Sequence, residues 1–351
     1  MTHIAKPKVQ HPALERNAVG MTRRDYEGAM STLCAGCGHD SVTAAVIEAF
    51  YRLDVPPHRV AKVSGIGCSA KTPTYFLGQA HGFNGVHGRM PAIATGAAAA
   101  NRELVSIGIS GDGDSLSIGL GQLCHAIRRN VDMTYVLENN GVYGLTKGQF
   151  SASADIGSKS KTGEPNRQRP IDPVFLALTL GATFVARSFS GDKKQLVPIL
   201  KAALTHRGFA LVDVVSPCVT FNDHEASTKS YRYTREANRP VVIADFVPLA
   251  EEITTTYEGG DVKDVTMHDG SVVRFRKVPT EYDPTDRDAV YAFLREEHAR
   301  GELPTGLLYV EPGSKEMHDV LETVDEPLWN EPFERLCPGR EVLDQIQSRF
   351  R

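Results

Sequence analysis

Two groups of residues in this chain have the types and spacing to do chemistry. The first is Gly111-Asp112-Gly113-Asp114, which follows an apolar run at 104–109 and precedes a helical pattern. Glycines let a backbone approach an anion closely, and free amides at a helix start favour phosphate. An aspartate in such a turn offers a hard oxygen to Mg²⁺, which bridges to phosphate oxygens. Twenty-five residues separate Gly113 from Asn139, and Asn139-Asn140-Gly141-Val142-Tyr143-Gly144 again ends an apolar run. In a parallel sheet, two successive strand ends can converge on one site. There an amide oxygen and a carbonyl would complete a magnesium shell begun by Asp112. Gly-Asp-Gly alone is more often a plain turn; the pair at this spacing is far more specific.

The second group is cysteine. Cys34-Ala35-Gly36-Cys37-Gly38-His39 precedes a helical pattern, Cys68 sits in Gly65-Ile66-Gly67-Cys68-Ser69, and Cys218 follows Ser216-Pro217. Four thiolates bind either Zn²⁺ or a [4Fe–4S] cluster, and spacing alone does not choose between them. Cys124 falls in a helical pattern and reads as a small buried apolar residue. Cys337 carries no assignment.

These loops need elements to position them. Short runs rich in Val and Ile read as strands at 59–63, 104–109, 133–137, 183–187 and 209–215, with helices at 39–52, 91–101, 115–129, 172–180 and 192–206. Such alternation indicates βαβ units around a buried, mainly parallel sheet flanked by helices, an α/β fold. Right-handed crossovers then bring the strand C-terminal ends, and the loops after them, to one edge. Residues 1–25 read as an extension, 26–244 as the binding domain and 245–351 as a C-terminal satellite. In the satellite, 262–268 and 271–278 flank Asp269-Gly270, a two-residue hairpin signal, and 287–300 reads as a helix. The polar stretch 220–239 reads as a loop or arm. No internal repeat is evident.

Composition excludes several classes. The net charge of −4 over 351 residues gives no reason to expect nucleic acid or an anionic membrane as partner. No apolar run approaches the roughly 20 residues needed to cross a bilayer. Residues 1–20 are polar, unlike a secretory signal, so a reducing cytoplasmic setting is expected. In that setting six cysteines point to metal ligands or buried thiols rather than disulfides.

The Gly-Asp-Gly and Asn-Asn pair resembles the signature of thiamine-diphosphate enzymes. In the order Cys-x-Gly-Cys-Gly-His, Gly-Ile-Gly-Cys-Ser, His87-Gly88-Arg89, Gly-Asp-Gly-Asp, Asn-Asn and Gly144-Leu145-Thr146-Lys147-Gly148-Gln149, the motifs over residues 32–219 resemble the beta subunit of 2-oxoacid:ferredoxin oxidoreductases. That resemblance implies a thiamine-diphosphate-binding fold with Mg²⁺ on Asp112, the Asn140 side chain and the Val142 carbonyl. It implies diphosphate contacts from Gly113, Asp114, Gly144, Leu145 and His87, and thiamine contacts from Ile66, Gly67, Cys68 and Ser69. It implies one [4Fe–4S] cluster on Cys34, Cys37, Cys68 and Cys218, and Lys147 at the carboxylate of the oxoacid. Arg89 is a further candidate anion contact, and 232–235 a candidate contact for coenzyme A or a partner. His125 and His224 carry no role beyond packing.

The activity implied is oxidative decarboxylation of a 2-oxoacid, with coenzyme A as co-substrate and ferredoxin as electron acceptor. 2-Oxoglutarate is the first choice, and pyruvate or another 2-oxoacid the alternative. An alpha subunit would supply the carboxylate that activates thiamine, in a dimer of alpha–beta pairs. The rival reading is a non-redox thiamine-diphosphate decarboxylase with structural zinc.

Overall fold

The computed structural model describes residues 11–158, 163–219, 252–267 and 272–350. Its frame is a nine-stranded sheet in the order β2-β1-β3-β4-β8-β7-β11-β10-β9. The strands are β1 (Val60–Ser64), β2 (His81–Asn84), β3 (Val105–Gly111), β4 (Met133–Asn139), β7 (Phe184–Phe189), β8 (Phe209–Val215), β9 (Val262–Thr266), β10 (Val272–Lys277) and β11 (Leu303–Val310). A separate small hairpin pairs β5 (Val142–Tyr143) with β6 (Gln149–Phe150). The six strands from β2 to β7 run parallel. β1 and β7 are buried at every position, which is why their sequences read as apolar runs rather than alternations.

Helices cover both faces. On one side α3 (Met90–Ala100), α4 (Leu120–Arg128), α5 (Pro173–Thr179) and α7 (Arg287–Ala299) pack Met90, Leu123, Val174 and Leu294 onto the sheet. On the other, α1 (Gly38–Arg52) and α6 (Lys193–Thr205) contribute Val46, Phe50, Leu196 and Leu200. Asp172 and Asp192 cap α5 and α6 by accepting from backbone amides of the first turn.

The helix expected at 115–129 is split. A π-helical turn, Asp114–Ile118, ends at Gly119, whose amide donates to the Asp114 carbonyl at 2.6 Å. A Cβ at Gly119 would lie 2.8 Å from that carbonyl and 2.9 Å from Gly88 Cα, so the wide turn requires glycine. It also holds the 87–89 loop against the start of the helix.

Two strands of the main sheet went unforeseen, as did the small β5–β6 hairpin. β2 is an exposed edge strand of His81, Gly82, Phe83 and Asn84, with no apolar pattern to betray it. β11 contains Pro304 and Gly306, which interrupt its apolar run and hide it from pattern reading. β11 pairs antiparallel with β7 and parallel with β10. Residues 262–310, set apart as a satellite in the sequence reading, therefore carry three strands of the main sheet. The expected hairpin strands pair antiparallel as β9 and β10, with the Asp269-Gly270 tip outside the described residues. The expected arm at 220–239, with His224 and 232–235, also lies outside them. No helix among the described residues is long and apolar enough to cross a membrane.

Candidate functional site

The C-terminal ends of β1, β3, β4 and β8 meet along one edge of the sheet. Each is followed by a candidate loop: 65–69, 112–114, 139–144 and 216–218. One pocket there is lined by Ile66, Gly67, Cys68, Ser69, Asp112, Gly113, Asp114, Asn140, Val142 and Gly144, with His39 at its side. Loops up to 78 positions apart in sequence (Ile66 to Gly144) thus share a wall because parallel strands end together.

Asp112 and Asp114 are both buried yet do different work. Asp114 is locked into the loops: Oδ1 accepts from the Gly88 amide at 2.7 Å and Oδ2 from the Ser110 hydroxyl at 2.9 Å. Asp112 takes hydroxyl donors on Oδ2, from Ser151 and from Ser153 at 2.6 Å, while Oδ1 faces the Asn140 amide at 3.5 Å. Burial raises the Asp112 carboxyl, and the two serine hydroxyls pull it back down. The Asn140 side-chain oxygen accepts from the Val142 amide at 3.1 Å, an Asx-type turn that keeps Asn140 and Val142 together.

Gly113 is fixed by Tyr143. The Tyr143 hydroxyl donates to the Gly113 carbonyl at 2.7 Å, and a Cβ at Gly113 would lie 2.5 Å from the Tyr143 ring. One residue on, a Cβ at Gly144 would sit 3.4 Å from Cys68 Sγ and 3.5 Å from Cys218 Sγ. The β5–β6 hairpin therefore joins the Gly-Asp-Gly turn to two of the cysteines.

The other two cysteines are close by. Burial pushes the Cys37 thiol up, with Cys218 adding to the effect. Cys68 is pushed up to about 11 by burial and then by Cys218, with Cys34 contributing in the same direction. Cys34 is exposed, Cys37 buried, and Cys68 and Cys218 half-buried. Among the described residues no three of His, Cys, Asp and Glu gather as a metal-ion site. Cys124 is half-buried rather than buried, on α4.

Some candidates lie beside the pocket rather than in its wall. His87 and Arg89 are exposed, and it is the Gly88 amide between them that meets Asp114. Leu145 is exposed at the hairpin. Lys147 is exposed at the hairpin turn with φ of 78°, the left-handed region that is strained for a side-chain-bearing residue. Its amide donates to the Gly144 carbonyl at 3.1 Å, which holds the turn closed.

Several residues of the site carry no sequence signal. Glu138 at the end of β4 is fully buried, and burial holds its carboxyl well above the usual carboxylate range. It accepts from the Thr72 hydroxyl at 3.1 Å and lies 3.6 Å from His39 Nδ1, which is itself 2.6 Å from the Ser216 hydroxyl. Burial lowers His39 to about 4, so it is a neutral ring bridging the loop of Cys37 to that of Cys218. Lys62, buried in β1, donates to the carbonyls of Pro73 (2.7 Å), Phe76 (2.7 Å) and Leu77 (2.9 Å). That grip ties the short helix α2 (Thr72–Tyr75), which follows Cys68, back onto the sheet. Of these, only His39 belonged to a recognisable motif. Glu138, Thr72, Lys62, Ser151 and Ser153 become visible once distant loops are brought together.

The donor set suits the groups that the motifs imply. Asp112 supplies a buried hard oxygen in the pocket that Asn140 and Val142 also line, a donor set of the kind Mg²⁺ takes, and the thiols supply soft ligands. Glycine at 144 leaves the space between the Cys68 and Cys218 sulfurs open.

Comparison with known proteins agrees with this geometry. Residues 65–214 match the family "Thiamine pyrophosphate enzyme, C-terminal TPP binding domain". The chain is 42% identical over 220 residues to a 2-oxoacid:ferredoxin oxidoreductase subunit beta of Sulfolobus sp., covering 62% of this chain and 71% of the relative. It is 45% identical over 199 residues to the corresponding subunit of Saccharolobus solfataricus, covering 56% of this chain and 65% of that one. It is 41% identical over 220 residues to the 2-oxoglutarate oxidoreductase subunit KorB of Mycobacterium tuberculosis, covering 60% of this chain and 58% of KorB. Among solved structures, a chain of the 2-oxoglutarate:ferredoxin oxidoreductase from Magnetococcus marinus, with 2-oxoglutarate, coenzyme A and succinyl-CoA bound, superposes with a TM-score of 0.69. That match has 29% identity and covers 93% of this chain and 96% of the other. The chain belongs to the beta subunits of the 2-oxoacid:ferredoxin oxidoreductases.

Proposed function

We propose that this chain is the cofactor-holding subunit of a cytoplasmic 2-oxoacid:ferredoxin oxidoreductase that works on 2-oxoglutarate with a separate alpha subunit. The observation that carries the reading is at Tyr143 and Gly144: one side chain grips the Gly-Asp-Gly turn while the next residue lies against the Cys68 and Cys218 sulfurs. A site for diphosphate and a site for an electron acceptor need such a shared wall, because electrons must pass between them over a short distance.

In this reading Asp112 Oδ1, the Asn140 side-chain oxygen and the Val142 carbonyl hold Mg²⁺. Gly113, Asp114, Gly144, Leu145 and His87 line the diphosphate, and Ile66, Gly67 and Ser69 lie against the thiamine. Cys34, Cys37, Cys68 and Cys218 hold one [4Fe–4S] cluster. Four thiolates accept either zinc or a cluster, and the cluster is assigned here on the ordered motifs that resemble the ferredoxin-reducing family.

Bound thiamine diphosphate supplies the carbanion chemistry of decarboxylation, and a bound cluster supplies one-electron transfer to ferredoxin. This chain's residues do the positioning. Lys147, exposed on the hairpin turn that Gly144 closes, offers a point charge to the carboxylate of the oxoacid. Gly113 and Asp114 orient the diphosphate through the loop contacts already described. Among the described residues the only carboxylates in the pocket wall are Asp112 and Asp114, and both are engaged. The carboxylate that activates the aminopyrimidine is therefore assigned to the alpha subunit, in a dimer of alpha–beta pairs, with coenzyme A accepting the acyl group.

The test is anaerobic expression with and without the alpha subunit, followed by assay of oxoacid-dependent ferredoxin or viologen reduction. The pair should be brown, contain iron and sulfide, and turn over 2-oxoglutarate in preference to pyruvate. Turnover by this chain alone, or a colourless active pair containing zinc, would sink the proposal.

A further inference from the structure

A line of buried and half-buried polar side chains crosses three strands and ends on Asp112. It begins at Arg187 in β7, whose Nε donates to Asp213 Oδ2 at 2.7 Å and whose Nη2 donates to Asp172 Oδ1 at 2.7 Å. Arg187 and Asp213 are register partners across β7 and β8. The second oxygen of Asp213 accepts from Asn139 Nδ2 at 3.1 Å, at the end of β4. Asn139 Oδ1 then faces the Ser153 hydroxyl at 2.9 Å, and that hydroxyl lies 2.6 Å from Asp112 Oδ2.

The direction of each contact is determined. Arg187 donates only, so Asp213 must accept, and its other oxygen must meet the NH₂ end of Asn139. A flipped Asn139 would set two oxygens against each other at Asp213. Asn139 therefore presents oxygen to Ser153. Ser153 has one proton, shared between two acceptors: Asp112 Oδ2, charged and at the shorter distance, takes the larger share, and Asn139 Oδ1 holds the other side of the hydroxyl. With Ser151 donating to the same oxygen, Asp112 Oδ2 is occupied and Oδ1 is turned to the Asn140 amide.

Burial alone does not explain this line. A sheet interior gains little from a buried ion pair that well-packed apolar side chains would not supply. Polar residues that run from the sheet interior to a single carboxylate are accounted for by their effect on that carboxylate. We propose that Arg187, Asp213, Asn139 and Ser153 are a relay of positioning residues that aims the Asp112 carboxylate at the metal of the diphosphate site. The proposal rests on the assignment of Asp112 as a Mg²⁺ ligand, and it extends that site to residues on strands remote from the pocket.

The test uses the complex copurified with its alpha subunit, in wild-type form and as Ser153→Ala, Ser153→Thr, Arg187→Met and Asp112→Ala. Thiamine diphosphate is titrated calorimetrically at several Mg²⁺ concentrations, and bound Mn²⁺ is followed by electron paramagnetic resonance. Ser153→Ala and Arg187→Met should weaken Mg²⁺-dependent binding roughly 10- to 100-fold, as loss of outer-shell support does, and alter the Mn²⁺ spectrum. Ser153→Thr, which keeps the hydroxyl, should bind close to wild type. Ser153 is a half-buried loop residue, so its variants keep the test valid if Arg187→Met fails to fold. Wild-type affinity in Ser153→Ala, with binding abolished in Asp112→Ala, would overturn the relay and leave the metal assignment standing. Wild-type affinity in Asp112→Ala would overturn both. A loss in Ser153→Ala matched by an equal loss in Ser153→Thr, with an unchanged Mn²⁺ spectrum, would show a purely structural role and also overturn the relay.

Discussion

The parallel edge of the sheet and the C-terminal additions both bury charged side chains, but to different ends. At the parallel edge they gather: Asp112, Asp114 and His39 line one pocket, and Glu138, buried at the end of β4, meets His39 behind it. In the C-terminal additions they fasten one element to the next. Arg276 of β10 pairs with Glu297 of α7 at 2.6 Å and with Glu302. Arg102 pairs with Glu316 at 3.3 Å, at the start of the short helix α8 (Met317–Leu321). Where parallel strands end together, their loops have no further strand to pair with, and polar groups can be kept for a ligand. At the far side of the sheet each new strand needs an anchor, and ion pairs serve as anchors. If this contrast holds, damage in the first region should remove function and spare stability, and damage in the second should do the reverse.

The largest effect is expected at Gly113. A methyl there would lie 2.5 Å from the Tyr143 ring, which must then swing away and release its hydrogen bond to the Gly113 carbonyl. β5 and β6 are only two residues each, so the hairpin can give way without disturbing the sheet. Gly113→Ala should lose on the order of 100-fold in oxoacid turnover, the scale of an ångström-size misplacement. Its melting temperature should stay near wild type. A variant that unfolds but binds normally would break the contrast.

The same contrast explains what the sequence made legible. Glycines, asparagines and cysteines at strand ends are local signals, and the positions read from them as cofactor contacts share one pocket wall from Ile66 to Gly144. His87 and Leu145 are exposed beside that wall, next to the Gly88 amide that meets Asp114 and the Tyr143 hydroxyl that meets the Gly113 carbonyl. The supporting residues were hidden. Thr72 meets Glu138 across 66 positions, and Arg187 reaches Asp112 only through partners on β8, β4 and the 151–153 loop. No local pattern marks a residue whose partner is fixed by strand order. β11 was missed for another reason: it lies between β10 and β7, where tertiary pairing tolerates Pro304 and Gly306 that local propensity argues against.

A moderate effect is expected at Arg276. Glu297 is 3% exposed and takes its charge balance from Arg276 and Arg300. Arg276→Met should leave part of that charge without compensation and cost about 3 kcal/mol, measured by denaturant unfolding. Thiamine-diphosphate affinity should be unchanged, because among the described residues the Arg276 side chain bonds to Glu297, Glu302 and the Gly260 carbonyl, all away from the pocket. Loss of affinity in this variant would show that the two regions are coupled.

The smallest effect is expected from removing residues 328–351. The turn Leu328–Asn330, α9 (Phe333–Leu336) and α10 (Arg340–Ser348) bury no side chain, and Trp329, Phe333 and Phe350 are 69%, 73% and 86% exposed. Arg340 with Asp344 is a surface pair worth little in water, and Arg335 with Glu331, whose side chain is 5% exposed, joins two residues of the same segment. A nine-residue helix without buried contacts is marginal by itself. The deletion should therefore move the melting temperature of the isolated chain by less than about 2 °C. It should also lower self-association in light scattering, since large exposed apolar side chains are removed. A fall in melting temperature well beyond that limit would mean that the segment anchors the sheet after all, and the division between a site-building edge and a fastened-on edge would need redrawing.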